Sequence, residues 1–364
     1  MTFYGIVARK PGVRLTPVMT TITAAPPPRL TSISALLDRT DDAIRQGVLP
    51  GAVVVPTGFR VLDDSLDGGL RSGELVMLGG AQGLGKSTLV VQLVRNVVAA
   101  GGSAVFFSYE SEAHTILERL ISLEAAAAVG LGSTKLRSVR RAFEVAPGQP
   151  TSLDERLALL PGALEGLETI RRYADRLHLH ESVTQTTDLA EIERVVREVE
   201  AQTGIRPLVV IDHLQKVPLT RGPARGDEER VAVVEHLKDL AVALGVAMVV
   251  VTGAERAPAS GAAQGSLGIR TRVADLRGSS AVAHEADVVL LLNEKYDIVA
   301  RHHLVYDLGN ADRFKEWVVM TIEKNRHGVD KVELEFRKRF SEGRFDAQGQ
   351  LVMEQLVEER LYTE

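Results

Sequence analysis

Short apolar segments alternate with segments of helical periodicity along most of the chain from Thr57 onward. Runs of roughly four to eight apolar residues between turn signals are typical of buried strands. The sequence predicts such strands at residues 75–79, 104–108, 177–180, 208–212, 247–252, 287–292, 316–322 and 331–337. This alternation predicts an α/β fold, a mainly parallel twisted sheet with helices on both faces and an antiparallel edge near the C-terminus.

The pattern divides the chain into four predicted segments. Residues 1–29 are rich in proline and threonine and lack periodicity, which indicates a disordered or extended tail. Residues 30–56 comprise a helix at 31–46, which Thr31 or Ser32 would cap, and a loop. We expect residues 57–346 to form the main domain and residues 347–364 a C-terminal segment.

Composition excludes several classes of function. The 364 residues include no cysteine, which rules out disulfides, thiolate nucleophiles and cysteine-ligated metal sites and favours a reducing cytoplasm. The longest apolar stretch, residues 240–254, is shorter than the roughly 20 residues of a membrane-spanning helix, so no membrane segment is predicted. The net charge of −5 argues against nucleic-acid binding over the whole surface but leaves room for a local basic channel.

Residues 80–87 fill the phosphate-binding pattern GxxxxGK[ST] between an apolar strand and a segment of helical periodicity. In that setting the glycines let backbone N–H groups curl around phosphates, the lysine reaches the β- and γ-phosphates, and the serine hydroxyl binds Mg²⁺. The sequence therefore predicts a nucleoside triphosphate site that uses ATP and Mg²⁺. The residues expected to contact these ligands are Gly80, Gly83, Gly85, Lys86, Ser87 and Thr88.

Two further apolar strands end in carboxylates that suit such a site. Asp212 closes the 208–212 strand, and an Asp at that point holds the Mg²⁺ shell through water or the loop serine. Glu110 follows the 104–108 strand, which we expect to lie beside the phosphate loop, so that Glu110 can orient and deprotonate the attacking water. Glu112 and Glu118 remain alternatives for this role.

These motifs occur in an order that resembles the bacterial replicative helicases of the DnaB type. Residues 212–215, Asp-His-Leu-Gln, resemble the Asp-Tyr-Leu-Gln segment of that family, and residues 108–110 resemble its Ser-Leu-Glu motif, in which the Glu is the catalytic base. Residues 275–280, Asp-Leu-Arg-Gly-Ser-Ser, resemble its Asp-Leu-Arg-Glu-Ser-Gly loop. The likeness covers roughly residues 31–346 and implies a RecA-like P-loop NTPase fold.

The resemblance also implies roles for individual residues. Residues 323–328 are similar to the segment whose Lys and Arg reach the γ-phosphate of a neighbouring subunit, which implies that role for Lys324 and Arg326. Arg119 falls where the family has an Arg near the phosphates. The residues expected to contact DNA are Arg256, Arg277, Gly278 and Ser280. Two basic loops, at 221–230 and 253–277, would face the central channel of a ring, and they also contain arginines 221, 225, 230, 270 and 272.

The implied protein is a homo-oligomer, a hexameric ring, that hydrolyses ATP at subunit interfaces and acts on single-stranded DNA as a helicase or translocase. Its loader or partner protein is not identified by the sequence. The loops lack aromatic residues for base stacking, so DNA binding would be directed at the backbone and independent of sequence. Acidic residues at 227–229 offset part of the basic charge, and solvated basic loops are the alternative interpretation.

The chain departs from that family at several points. Gly253 stands where the family has a Gln thought to sense the γ-phosphate and couple it to the DNA loops. Gly278 and Ser280 replace a Glu and a Gly, and we find no counterpart of the family's N-terminal helical collar. An ATP-driven assembly or scaffold protein that does not unwind DNA is therefore the alternative. A RadA- or KaiC-like ATPase is a third possibility, although residues 212–215 and 275–280 favour the DnaB type.

Overall fold

The structure, a computed structural model, describes residues 2–5, 18–21, 31–47, 51–130, 132–144, 151–219, 226–254, 266–268, 270–276, 278–300, 302–305, 308–357 and 359–361. The strands in these ranges are β1 (Thr2–Gly5), β2 (Val18–Thr21), β3 (Val54–Val55), β4 (Leu70–Arg71), β5 (Leu75–Gly80), β6 (Ala104–Ser108), β7 (Leu177–Glu181), β8 (Leu208–Asp212), β9 (Met248–Val251), β10 (Ser266–Gly268), β11 (Val288–Glu294), β12 (Trp317–Asn325), β13 (Val332–Arg339), β14 (Arg344–Phe345), β15 (Gln350–Leu351) and β16 (Glu359–Leu361).

A ten-stranded sheet forms the centre of the molecule in the order β14-β13-β12-β11-β5-β9-β8-β6-β7, with β15 paired to β13. The strands from β11 to β7 in that order run parallel, whereas β12 to β15 add antiparallel pairs at one side. The predicted α/β fold with an antiparallel edge is therefore confirmed. All eight predicted strands are present, and the largest difference in bounds, three residues, is at the end of β12, predicted at 322 and observed at Asn325.

Helices cover both faces of this sheet. The α-helices are α1 (Ile33–Arg45), α2 (Arg60–Ser65), α3 (Lys86–Ala99), α4 (Ala113–Val129), α5 (Leu136–Phe143), α6 (Leu153–Leu157), α7 (Ala163–Tyr173), α8 (Leu189–Thr203), α9 (Gly226–Leu244), α10 (Ser279–Glu285), α11 (Lys295–Ile298), α12 (His302–Val305) and α13 (Leu308–Lys315). Short 3₁₀ turns span Ala174–Arg176, Leu214–Lys216, Val273–Asp275 and Phe340–Glu342.

Alternate residues of the central strands pack into two separate hydrophobic cores. In β5, Val76 and Leu78 face the core that contains α3, α4 and α7, while Leu75 and Met77 face the core that contains α8, α9 and α10. Because parallel strands are buried on both faces, their sequences read as continuous apolar runs. The sheet therefore forms a rigid platform whose parallel strands all end at one edge.

The first helix lies apart from both cores. Ser32 caps α1 by accepting a hydrogen bond from the Ala35 backbone N–H at 3.2 Å. None of the residues of α1 is buried, and Ile33 and Leu37 are 71% and 63% exposed. The helix is thus formed as predicted but presents its apolar residues to solvent in the single chain.

The two chain ends contribute small elements of their own. Within the predicted tail, β1 and β2 pair with each other, and the remaining residues of 1–29 lie outside the described residues. In the C-terminal segment, β15 extends the main sheet and β16 pairs with β10. The division into four segments remains a prediction. Within the described ranges, no helix combines the length and apolar composition needed to cross a membrane.

Candidate nucleotide-binding site

The phosphate-binding loop joins the end of β5 to the start of α3. Gly85 caps α3 with φ of 87°, and a Cβ atom there would lie 2.6 Å from the ring of Phe340. Gly80, at φ of 148°, would place a Cβ 2.8 Å from the Leu292 carbonyl oxygen. Both positions combine a left-handed backbone with close packing, so larger residues are excluded. These glycines set the loop in the strand-loop-helix form that the sequence predicts.

Lys86 is held at the mouth of this loop. Its Nζ donates to the backbone carbonyl oxygens of Gly80 and Ala81, at 2.8 Å each. Partial burial lowers the pKa of Lys86, while the nearby carboxylates of Asp212 and Glu110 oppose that shift. The ammonium group is therefore positioned between the loop and two acidic side chains, where a phosphate would exchange for the loop carbonyls.

Asp212 closes β8 next to the loop serine. The Ser87 hydroxyl bonds to the Asp212 carboxylate, which is buried at 4% exposure. Burial raises the pKa of Asp212, and the bond from Ser87 opposes this rise. A carboxylate and a hydroxyl that converge in this way supply the oxygen ligands that Mg²⁺ prefers, so these two residues fit the predicted metal site.

Glu110 reaches the same cavity, but by a different route from the one expected. The prediction that the 104–108 strand lies beside the phosphate loop is wrong, because β9 and β8 separate β6 from β5. Glu110 lies two residues beyond the end of β6, and its Oε1 is 2.8 Å from Nε2 of His213, just beyond β8. A pairing between the ends of β6 and β8, rather than proximity to β5, brings this carboxylate to the site.

The alternative carboxylates have structural roles of their own. Glu112 is the N-cap residue of α4, and Glu118 accepts a hydrogen bond from Arg140 at 3.2 Å. Neither is among the residues that line the cavity in the described part of the chain. Of the carboxylates proposed from sequence for the attacking water, Glu110 is therefore the one that the cavity contains.

The cavity has a volume of about 620 Å³. Its lining includes Gly83, Gly85, Lys86, Ser87, Thr88, Glu110, Arg119 and Asp212 from the predicted set. Arg119 lies on α4, and burial lowers its pKa while Asp212 opposes this. A cavity of this size suits a nucleotide, since small-molecule sites typically measure about 300–1,000 Å³.

The lining also contains residues to which the sequence assigned no role, among them His213, Gln215 and Phe340. His213 and Gln215 belong to the motif at 212–215, but the motif alone does not show where their side chains point. Phe340 follows β13, is 37% exposed and packs edge-to-face on Phe345 with ring centroids 5.3 Å apart. Its position could not be inferred because Gly85, its neighbour in space, lies in a distant part of the sequence.

Lys324 and Arg326 lie near the starts of the parallel strands, whereas the cavity lies at the ends of these strands. Val288 pairs with Val76 near the start of β5 and with Asn325 at the end of β12, so both cations sit where the parallel strands begin. Lys324 Nζ donates to the carbonyl oxygens of Ala283 and His284 at 2.8 and 3.1 Å. A single chain therefore does not bring this pair to its own phosphate-binding loop.

Arg326 is bound within its own chain by a buried carboxylate. Its Nη1 is 3.1 Å from Oδ1 of Asp287, and its Nη2 donates to the His284 carbonyl oxygen at 2.9 Å. The Arg326 side chain is still 45% exposed, whereas the Asp287 side chain is 2% exposed. Arg326 is thus positioned at the surface by residues that precede β11.

The predicted DNA-binding residues are described in part. Arg256 and Arg277 lie outside the described residues. Gly278 precedes α10, and a Cβ atom at Gly278 would lie 3.6 Å from the Cβ of Arg230 on α9. Ser280 is exposed in the first turn of α10. The start of α10 therefore lies against α9, which brings parts of the two predicted DNA loops together.

The parallel sheet, the glycine loop before α3 and the paired Ser87 and Asp212 define a P-loop nucleotide-binding domain. The family model for the DnaB-like helicase C terminal domain matches residues 54–346, so the chain belongs to that family. The suspected resemblance is therefore confirmed. Family membership implies use of a nucleotide.

Individual relatives agree with this assignment. The chain is 26% identical over 294 residues to the replicative DNA helicase DnaB of Treponema pallidum (strain Nichols), covering 79% of this chain and 55% of the relative. The chain thus spans about half the length of that protein. A segment of 63 residues is 40% identical to the DNA repair protein RadA of Aquifex aeolicus (strain VF5), covering 17% of this chain and 14% of RadA.

Solved structures share the RecA-like fold at low sequence identity. A DnaB-like replicative helicase, studied with its primase interactions, has a TM-score of 0.63 and 18% identity, and the match covers 86% of this chain and 68% of its own. A separately solved ATPase domain gives the same TM-score and identity over 86% of this chain and 98% of that domain. These likenesses bear out the predicted fold.

Proposed function

We propose that the chain is the motor domain of a ring ATPase, which hydrolyses ATP at the interfaces between its subunits and acts on single-stranded DNA. Family membership and the cavity at the phosphate-binding loop support the nucleotide part of this proposal. The DNA part is supported by the names of the relatives, which include a replicative DNA helicase. A cytoplasmic location is part of the proposal and is supported by the cysteine-free composition.

In the proposed reaction, Lys86 and the loop amides bind the β- and γ-phosphates. Ser87 and Asp212 would hold a Mg²⁺ ion, which when bound neutralises phosphate charge. Glu110 orients the attacking water and accepts its proton, and Arg119 binds phosphate charge from the α4 side of the cavity. The positions of these side chains around the cavity support the proposed roles.

The observation that carries the ring arrangement is the separation of Arg326 from the phosphate-binding loop. A cation that stabilises the transferred phosphoryl group in trans typically contributes about 10³- to 10⁵-fold in rate. Lys324 and Arg326 lie at the edge opposite the cavity, so they can serve a phosphate only in a second copy of the chain. Head-to-tail contacts of this kind close into a ring when the rotation allows it, and we propose a hexamer.

Mixing two inactive variants tests this arrangement. We expect Arg326→Ala to bind ATP nearly normally yet hydrolyse it poorly, and Lys86→Ala to lose hydrolysis. Mixed rings would contain some interfaces that combine an intact loop from one chain with an intact Arg326 from another, so part of the activity should return. Steady-state phosphate release measures it, with Arg337→Ala as a matched control because Arg337 pairs with Glu316 at the surface.

Light scattering on the unsubstituted chain with ATP present makes the test decisive. A protein that remains monomeric with ATP present and is fully active would contradict the shared site. If the shared site holds but DNA neither binds at low salt nor changes turnover, the alternative of an assembly or scaffold ATPase replaces the helicase hypothesis.

A further inference from the structure

The cavity wall contains a continuous series of hydrogen bonds that starts at Glu110. Nε2 of His213 lies 2.8 Å from Oε1 of Glu110, and Nδ1 of His213 lies 2.5 Å from Oε1 of Gln215. The Gln215 amide nitrogen then donates to the Thr252 hydroxyl oxygen at 2.8 Å. We propose that His213 and Gln215 are positioning residues for ATP hydrolysis, which hold Glu110 in place and tie it to the end of β9.

The register of the sheet explains why these four side chains meet. Asp212 is level with Ser108 on β6 and with Val251 on β9, so three adjacent strands end at the same height. Each residue of the series lies one to three positions beyond such an end, on three different strands. The series therefore runs across the strand ends, perpendicular to the strands, along one wall of the nucleotide cavity.

The links between His213 and Thr252 run in one direction, and the far end of the series is fixed. Because the Gln215 NH₂ group donates to Thr252, its carbonyl oxygen is left to accept from Nδ1–H of His213. Nε2 then donates to the Glu110 carboxylate in the imidazolium form of the ring, which carries a proton on both nitrogens. Thr252 is fully buried, and its backbone N–H donates to the Leu78 carbonyl oxygen at 2.9 Å. The series is thus anchored in the sheet.

Glu110 needs such a support because its side chain is 52% exposed. A half-exposed glutamate populates several rotamers, whereas a base must lie within hydrogen-bond reach of the proton that it removes. The hydrogen bond between His213 and Glu110 selects one of these positions. Loss of any link further along the series should therefore lower the fraction of molecules in which Glu110 is correctly placed.

Gln215 also occupies the space next to Gly253. A Cβ atom at Gly253 would have Nε2 of Gln215 as its nearest neighbour, at 3.9 Å. Gly253 stands where the resembled family has a Gln, so the residue at the end of β9 has no side-chain amide. Gln215, which follows the neighbouring strand β8, places its side-chain amide next to that position instead. A movement of Thr252 would therefore change the position of Glu110 through the hydrogen bonds of Gln215 and His213.

The inference rests on the proposed role of Glu110, so the experiment includes Glu110→Gln. Single-turnover hydrolysis of ATP with Mg²⁺ is measured for the full chain, for Gln215→Ala and for the double variant. We expect Gln215→Ala to lower the rate of the chemical step by about 10-fold with the ATP affinity changed less than about twofold, because only the placement of the base is affected. In the Glu110→Gln background, Gln215→Ala should have almost no further effect.

Substitutions at Thr252 and a surface control complete the test. Thr252→Val removes the hydroxyl at nearly constant volume and should slow the chemical step several-fold, whereas Thr252→Ser keeps the hydroxyl and should recover most of the rate. Gln202→Ala, on the exposed side of α8, controls for loss of a surface glutamine. Thermal unfolding of each variant confirms that it is folded.

The outcomes separate the inference from the proposed function. If Gln215→Ala slows Glu110→Gln by the same factor as wild type, or weakens ATP binding in proportion, Gln215 is a structural residue and the inference fails. If Glu110→Gln is slow but Gln215→Ala and Thr252→Val turn over normally, only the inference is overturned. If Glu110→Gln hydrolyses ATP like wild type, the assigned base and the inference both fail.

Discussion

At the scale of single residues, the proposed roles separate binding of the nucleotide from chemistry on it. Lys86 donates to two loop carbonyls and lies near the carboxylates of Asp212 and Glu110, so its charge is placed to act on a phosphate that enters the loop. Glu110 is instead held by a hydrogen bond to His213, just beyond β8. Substitutions at these two positions should therefore give different kinetic phenotypes.

We expect Lys86→Ala to lose hydrolysis and to bind nucleotide weakly, because the phosphates lose the ammonium of the loop. Glu110→Gln should bind ATP normally and hydrolyse it about 10²- to 10⁴-fold more slowly, since its amide keeps the shape but accepts no proton. Equilibrium binding of a fluorescent ATP analogue and phosphate release measure the two properties separately. Normal turnover of Glu110→Gln would transfer the role to another carboxylate, with Glu112 tested next.

Phe340 gives a second prediction at this scale. Its half-exposed ring forms one wall of the cavity beside Gly85 and offers an apolar face to a nucleotide base. We expect Phe340→Ala to raise the KM for ATP about 10-fold with little change in kcat, as for an interaction that is equal in ground and transition states. Phe340→Tyr keeps the ring and should keep the KM. A fall in kcat with unchanged KM would show that the ring acts elsewhere.

At the scale of elements, a buried carboxylate ties together three helices on one face of the sheet. Glu124 on α4 accepts hydrogen bonds from Arg95 Nε on α3 at 2.7 Å and from the Tyr173 hydroxyl on α7 at 2.9 Å. Burial and the neighbouring Glu124 raise the pKa of Tyr173. These bonds hold α3, which follows the phosphate-binding loop, against the helices behind it.

Glu124→Ala should lower the free energy of unfolding by about 3 kcal/mol, because it leaves the Arg95 charge and a buried hydroxyl without their partner. Urea denaturation followed by circular dichroism measures the change. Asp154→Ala, which removes a half-exposed partner of Arg171 at the surface, is the control and should have a much smaller effect. Equal effects of the two substitutions would show that the buried position has no special importance.

Elements also show how far the sequence predicts the structure. Buried parallel strands such as β5 and β8 are continuous apolar runs, and residues 80–87 combine a motif with its required setting, so both are readable from local sequence. The order of strands in the sheet depends on contacts between distant parts of the sequence. The prediction that β6 lies beside the phosphate-binding loop after β5 is wrong for that reason. Contacts such as Gln215 with Thr252 depend on that order, and the sequence could not predict them.

At the scale of the whole molecule, the two ends of the parallel strands carry different parts of the proposed site. The nucleotide cavity lies where the parallel strands end, and Lys324 and Arg326 lie near the surface where these strands begin. Helix α1 adds a solvent-exposed apolar face, which the family resemblance would place against an adjacent subunit. These features support the proposed ring, in which a second copy of the chain would complete each nucleotide site.

The last prediction concerns DNA and tests the molecule as an assembled motor. If basic loops line a channel, single-stranded DNA should bind without sequence preference, and its affinity should fall steeply as the salt concentration rises. Arg277→Ala should reduce the slope of log affinity against log salt concentration by about one unit. We expect DNA to stimulate hydrolysis only weakly, because a glycine at 253 has no side chain to contact the γ-phosphate. A Gly253→Gln variant should strengthen this stimulation, and a Gly253→Ala variant is its control. Equal stimulation of both variants would show that coupling runs through other residues.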